Sequence, residues 1–228
     1  MLVGEGQYFN LHAHRFSGAE DECVITSLRS RDYPLSMEDP EAFYSVGLHP
    51  WDLQATPGIR DELVKVQLAT ESSQVVAIGE AGLDKLIPVS LDMQTAVFNN
   101  QLEIAESAGM PVIIHAVRAN QELISIIREK KLSVPLIIHG FRGGKELAAE
   151  FCRKGLYLSV GEAVMRSEKL QEAVRQIPLE SLFLETDESE LDIKAIYAKV
   201  AELRGLDVHL LQQNIAEKAV QIFSRSGL

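Results

Sequence analysis

Short apolar runs rich in β-branched residues recur along this chain, each followed by a longer stretch of helical periodicity. Eight such runs stand out: 7–13 (QYFNLHA), 23–28 (CVITSL), 43–48 (FYSVGL), 75–80 (VVAIGE), 111–116 (PVIIHA), 135–140 (PLIIHG), 155–160 (GLYLSV) and 181–186 (SLFLET). Near-continuous apolar runs of this kind are what a parallel strand buried on both faces requires. Helical spacing is read between them at 59–70, 91–108, 119–131, 145–154, 166–176 and 192–203, with a last helix at 207–223. In the second of these, Leu91, Val97, Phe98, Leu102 and Ala105 mark one face and Gly109 ends the helix. The alternation predicts an α/β fold, a single (β/α)8 TIM barrel over residues 1–228. The connection at 15–22 is too short for a crossover helix, so that corner is expected to be irregular.

Length and charge narrow the picture further. The 228 residues, 46% hydrophobic, suffice for one large core. A net charge of −11 offers no general attraction to nucleic acid or anionic membrane, so a phosphate polymer would have to be held by bound metal and a local basic rim. The N-terminal segment does not read as a signal peptide, and no apolar run approaches the roughly 20 residues of a membrane span. A cytoplasmic protein is expected, with Cys23 and Cys152 as reduced, buried thiols.

The chemistry concentrates at the strand ends. Of six histidines, His12, His14, His49, His115 and His139 fall at the carboxyl end of a predicted strand, and only His209 does not. In a barrel those ends face one cavity. A lone histidine on an apolar strand is more often a hydrogen-bonded core residue, but His12 and His14 share a strand face and together make a plausible metal corner. Glu80 is read as ending the fourth run, and Asp187 follows the eighth. An ionised acid there must be salt-bridged or metal-bound, and both readings stay open. Glu185, on the same face as Asp187, could support a ligand or make an ordinary structural pair.

These segments resemble the TatD family of metal-dependent deoxyribonucleases, within the amidohydrolase-like barrels. The resemblance runs through Asn10-Leu11-His12-Ala13-His14, Val46-Gly47-Leu48-His49-Pro50-Trp51, Ala77-Ile78-Gly79-Glu80-Ala81-Gly82-Leu83-Asp84, Pro111 to His115, Ile137 to Phe141, and Leu184-Glu185-Thr186-Asp187. It implies that His12, His14, Glu80, His115, His139 and Asp187 bind one or two divalent ions, zinc, manganese or magnesium, with Glu80 bridging. It also implies hydrolysis of phosphodiester bonds, as a DNase with 3′–5′ exonuclease activity in which Asp187 and Glu80 are catalytic. By the same resemblance His49 is a phosphate contact more than a ligand.

Arg118 and Arg142 are candidate phosphate forks or ordinary surface charges. Trp51 could stack on a base, though packing against the barrel is the preferred reading. Two departures stand out: Asn10 occupies a position where the family usually has Asp, and Glu188-Ser189-Glu190 replaces an Ala-Pro-aromatic segment. The expected partner is DNA at a single-stranded 3′ end, or a small phosphodiester, with no membrane and a monomeric chain, oligomers being left open. The alternatives are a metal-dependent barrel hydrolase of a small phosphoester, lactone or cyclic amide, and a non-catalytic metal-stabilised barrel that binds nucleotide or a protein partner.

Overall fold

The computed structural model describes residues 3, 4, 6–15, 18–34, 37, 39, 41–54 and 58–224. Its strands are β1 (Tyr8–Ala13), β2 (Glu22–Arg29), β3 (Phe43–Gly47), β4 (Val75–Asp84), β5 (Val112–Val117), β6 (Leu136–Ile138), β7 (Tyr157–Val160) and β8 (Leu182–Leu184). The helices are α1 (Ile59–Ala69), α2 (Leu91–Ala108), α3 (Asn120–Lys130), α4 (Lys145–Arg153), α5 (Glu168–Gln176), α6 (Ile193–Arg204) and α7 (Val208–Phe223). The strands form one sheet in the order β1 to β8, and the pairings described in register are parallel. β8 returns to β1 through a parallel bridge between Asp187 and Ala13. That order and closure are those of a (β/α)8 barrel.

Every predicted strand and helix is present, with shifts at the ends. The largest is in β4, which does not stop at Glu80 but runs to Asp84, so Glu80 lies mid-strand. Gly82 makes this extension possible. Its φ is +154°, and a Cβ there would lie 2.0 Å from the carbonyl oxygen of His115, so β4 and β5 meet backbone to backbone. As expected, the described residues between β1 and β2 contain no helix. Among the described residues between β2 and β3, only a 3-10 turn, Ser30–Asp32, is helical.

Two compact units make up the chain. One is built from Met1–Thr26 and Ile137–Ser226. Its core centres on Phe9, Phe183 and Phe223, with ring centroids 5.7 to 6.0 Å apart, and fully buried Tyr197 donates its hydroxyl to the Phe9 carbonyl at 2.8 Å. Burying each such phenyl ring contributes about 2–3 kcal/mol. The other unit is built on Ser27–Leu136, where Val66, Ile78, Phe98, Leu102 and Ile114 are fully buried between β3–β5 and their helices. In this unit α2 starts under a Ser90 cap and stops at left-handed Gly109. Neither Cys23 nor Cys152 forms a disulfide. Cys23 is buried, but Cys152, expected to be buried too, is only partly so, because its helix α4 turns that position toward the surface. Among the described residues, no helix is long and apolar enough to cross a membrane.

Candidate metal centre

In the first unit, His12 sits on β1, His14 lies just beyond it, His139 follows β6, and Asp187 follows β8. The fold brings these four together. Both His12 Nε2 and His14 Nε2 approach the same oxygen, Asp187 Oδ1, at 3.6 and 3.4 Å. The His12 ring centroid is 4.5 Å from that of His139 and 5.1 Å from that of His14. One donor atom each from His12, His139 and Asp187 lies within 4.8 Å of the other two. Burial would raise the Asp187 pKa, but hydrogen bonds from His12 and His14 and the charges of His12 and His139 outweigh it, holding the carboxyl far below the usual range. Asp187 reaches this position in the left-handed region, at φ 57°, which aspartate tolerates better than most residues.

Glu185 backs this group. It is fully buried, accepts the Gly140 N–H on Oε1 at 2.5 Å, and brings the same oxygen to 3.6 Å from His139 Nδ1. Its other oxygen is buried with no hydrogen-bond donor among the described residues. A buried carboxylate left half-satisfied costs several kcal/mol. A cation on the adjacent imidazoles would offset that cost, so this donor set fits a divalent ion.

Asn10 bridges its neighbours in the sheet. Its amide donates to Glu22 at 2.7 Å and to Thr186 at 2.8 Å, and its oxygen accepts the Thr186 N–H at 3.0 Å, tying β1 to β2 and to the segment after β8. Aspartate could not donate to Glu22. The departure from the family residue is therefore matched to its neighbour.

In the second unit the fold brings together His49, Glu80 and His115. His49, beyond β3, is 2% exposed; its Nδ1 accepts the backbone N–H of Trp51 at 3.1 Å, and its Nε2 stands 3.5 Å from Glu80 Oε2. That tautomer puts the ring proton on Nε2, making His49 a donor toward an anion and not a lone-pair ligand. Burial pushes its pKa down to about 4 against the pull of Glu80, so the ring is neutral at pH 7. His115 presents Nδ1 to the same Glu80 oxygen at 3.5 Å, while its Nε2 lies 3.3 Å from Asp84 Oδ2. Burial would raise the Asp84 pKa, but hydrogen bonds from Trp51, the Leu86 N–H and His115 lower it overall. An ionised Asp84 fixes the proton on His115 Nε2 and leaves the Nδ1 lone pair facing Glu80. This carboxylate–histidine arrangement is the usual support of a metal ligand.

Sequence reasoning missed Asp84 as a site residue, and with it two glutamines. Gln94 and Gln101, buried on α2 a heptad apart, each grip a strand end in both directions. Gln101 accepts the Leu48 N–H at 2.8 Å and donates to the Leu48 carbonyl at 3.0 Å; Gln94 does the same for Asp84 at 2.7 and 3.0 Å. Two polar residues on the apolar face of a helix were the available signal. Trp51 departs from the packing preferred for it: 55% of it is exposed, because its N–H reaches out to Asp84 at 2.7 Å and holds the ring at the surface. Arg118 and Arg142 are exposed. Arg142 lines a groove of about 240 Å³ with Glu162, Asp187 and Glu188. A second groove, of about 290 Å³, is lined by Asp21, Glu22, Asp187, Glu188 and Glu190, with Arg15 3.7 Å from Glu190.

Comparison with known proteins gives the family and the fold. A family model described as TatD related DNase matches residues 24–224. The chain is 30% identical over 198 residues to the uncharacterized metal-dependent hydrolase YabD of Bacillus subtilis, a match spanning 79% of this chain and 77% of that protein. It is 33% identical over 172 residues to deoxyribonuclease Tat-D of Schizosaccharomyces pombe, spanning 69% of this chain and 55% of that one. Among solved structures, the TatD homologue YjjV of Escherichia coli superposes with a TM-score of 0.85 at 24% identity, covering 97% of this chain and 99% of its own, so the two share a fold.

Proposed function

The chain belongs to the TatD related DNase family, and from that footing we propose that it is a divalent-metal-dependent hydrolase that cuts phosphodiester bonds of DNA from a single-stranded 3′ end. The observation that carries this reading is the convergence of His12 Nε2 and His14 Nε2 on Asp187 Oδ1, beside His139. In this reading His12, His14, His139 and Asp187 in one unit, and Glu80 and His115 in the other, hold one or two ions of zinc, manganese or magnesium. A divalent ion so held supplies Lewis acidity and positive charge toward a phosphoryl oxygen. Asp187 would orient the attacking water and accept its proton. His49 offers its Nε2–H to a phosphate oxygen, and exposed Arg118 and Arg142 offer forked donors along the rim. Two cysteines outside any disulfide suit a cytoplasmic location, and a monomer is the working assembly.

Incubation of the purified protein with 3′- and 5′-labelled single-stranded DNA, bis(p-nitrophenyl) phosphate and a panel of cyclic amides and lactones, with Mg²⁺, Mn²⁺ or Zn²⁺, tests the proposal. Metal-dependent shortening from the 3′ end, abolished by Asp187→Asn, is the expected result. Failure to cut any phosphodiester overturns it.

A second reading has its own observation. Glu188 and Glu190 line a groove with Asp21 and Glu22, where acids outnumber Arg15 and Lys194, and an excess of acids along a polyphosphate path repels it. This favours a small phosphoester, lactone or cyclic amide, and turnover of those compounds without DNA cleavage would establish it. Metal retention with no turnover of any kind would point to the non-catalytic alternative.

A further inference from the structure

Trp51 combines two properties that seldom coincide. More than half of it is open to solvent, yet its polar edge is fastened to a carboxylate that has almost no freedom. Asp84 is 2% exposed. Its Oδ2 accepts the indole N–H at 2.7 Å, its Oδ1 accepts the Leu86 N–H at 2.8 Å, and Gln94 clamps its backbone from both sides. Leu86, which shares this carboxylate, is 61% exposed, so two large apolar side chains stand open beside one buried acid. The indole also meets the imidazoles of His49 and His115 edgewise, with centroids 5.3 and 6.2 Å away. A ring so anchored is a preorganised platform. With its only donor committed to Asp84, it recognises a partner through its π-face alone.

We infer that Trp51 is a stacking subsite for a planar, uncharged aromatic ring of the substrate, and that Asp84 is a positioning residue linking this subsite to His115. The link is a single atom, because Asp84 Oδ2 accepts from Trp51 Nε1 and lies 3.3 Å from His115 Nε2. A shift of the indole therefore disturbs the carboxylate that sets the tautomer and angle of His115. The identity of the ring as a nucleobase rests on the proposed action on DNA. Stacking tolerates any of the four bases, since each offers a π-face.

Trp51 is the sole tryptophan, so its fluorescence reports this subsite directly. The wild-type protein is titrated with deoxyadenosine 5′-monophosphate and with 2-deoxyribose 5-phosphate, following indole emission and, in parallel, equilibrium dialysis. The nucleotide is expected to quench saturably and the sugar phosphate is not. In dialysis, Trp51→Ala should weaken the nucleotide about tenfold and leave the sugar phosphate unchanged, with Trp51→Phe between wild type and Trp51→Ala. No saturable nucleotide binding, or binding that leaves the emission untouched, overturns the subsite. In a chelator competition with Zn²⁺, Asp84→Asn should lower metal retention strongly and Trp51→Ala by a smaller factor; equal retention in Asp84→Asn and wild type overturns the link to His115. A protein that cuts no phosphodiester but shows nucleotide quenching would refute the proposed function and leave the subsite standing.

Discussion

Glu185 holds His139 from behind: its Oε1 lies 3.6 Å from Nδ1 of that ring while accepting the N–H of the next residue, Gly140, at 2.5 Å. A fully buried acid in this place polarises the imidazole and fixes its orientation. Glu185→Gln keeps the shape and removes the charge. Metal affinity is expected to fall by roughly 10- to 100-fold with the fold intact, measured by competition with a chromogenic chelator and checked by circular dichroism. Unchanged affinity would show that the acid is only a packing element.

Asp187→Asn removes the carboxylate on which His12 and His14 converge but leaves the backbone bridge to β1, Asp187 N–H to the His12 carbonyl at 2.9 Å, in place. Loss of a proton acceptor of this kind is expected to cost at least about 10²-fold in kcat with a much smaller change in KM, read from initial rates on a chromogenic diester.

Gly82→Ala is expected to be among the most damaging single changes in the second unit. The added methyl would fall 2.0 Å from the His115 carbonyl oxygen at a φ of +154°, combining overpacking with backbone strain for a total of about 3 kcal/mol or more. Urea denaturation, or loss of soluble yield, provides the measure.

Lys218 on α7 gives a pH signature. It is buried, donates to the carbonyls of Leu179 and Leu182, and lies over the ring of Phe183 at 4.6 Å. Burial pushes its pKa down from 10.5 to about 7, with Glu180 opposing. Between those values the unfolded chain binds more protons than the folded one, so this residue makes stability rise from pH 7 toward 10. Urea midpoints at pH 7 and 9.5 are expected to show that rise in the wild-type protein and to lose it in Lys218→Met. Parallel behaviour of the two proteins would contradict the depressed pKa.

Strands and helices were legible in the sequence because each buried run is both apolar and β-branched, and because the site histidines sit where such runs end. Asp84 was hidden because the fourth run was read as ending at Glu80, whereas Gly82 lets β4 continue to Asp84. The meaning of Asn10 was hidden for another reason. Its choice over Asp depends on Glu22, which accepts from its amide, and a dependence between two separated positions leaves no periodic trace. Trp51 was misjudged because an aromatic residue after a strand normally packs, and only the structure places its N–H on Asp84.

The bridge between Ala13 and Asp187 also carries a consequence for how the protein is made. The unit built on Ser27–Leu136 comes essentially from one stretch of chain, whereas the other is split between Met1–Thr26 and Ile137–Ser226 and needs both before it can be completed. His12 and His14 belong to β1 and the residue just after it, yet their carboxylate partner follows β8, so the two histidines are made long before the acid. A chain interrupted between His14 and Asp187 carries both histidines and lacks the acid on which they converge, which reserves the complete first cluster for chains in which β8 has been made.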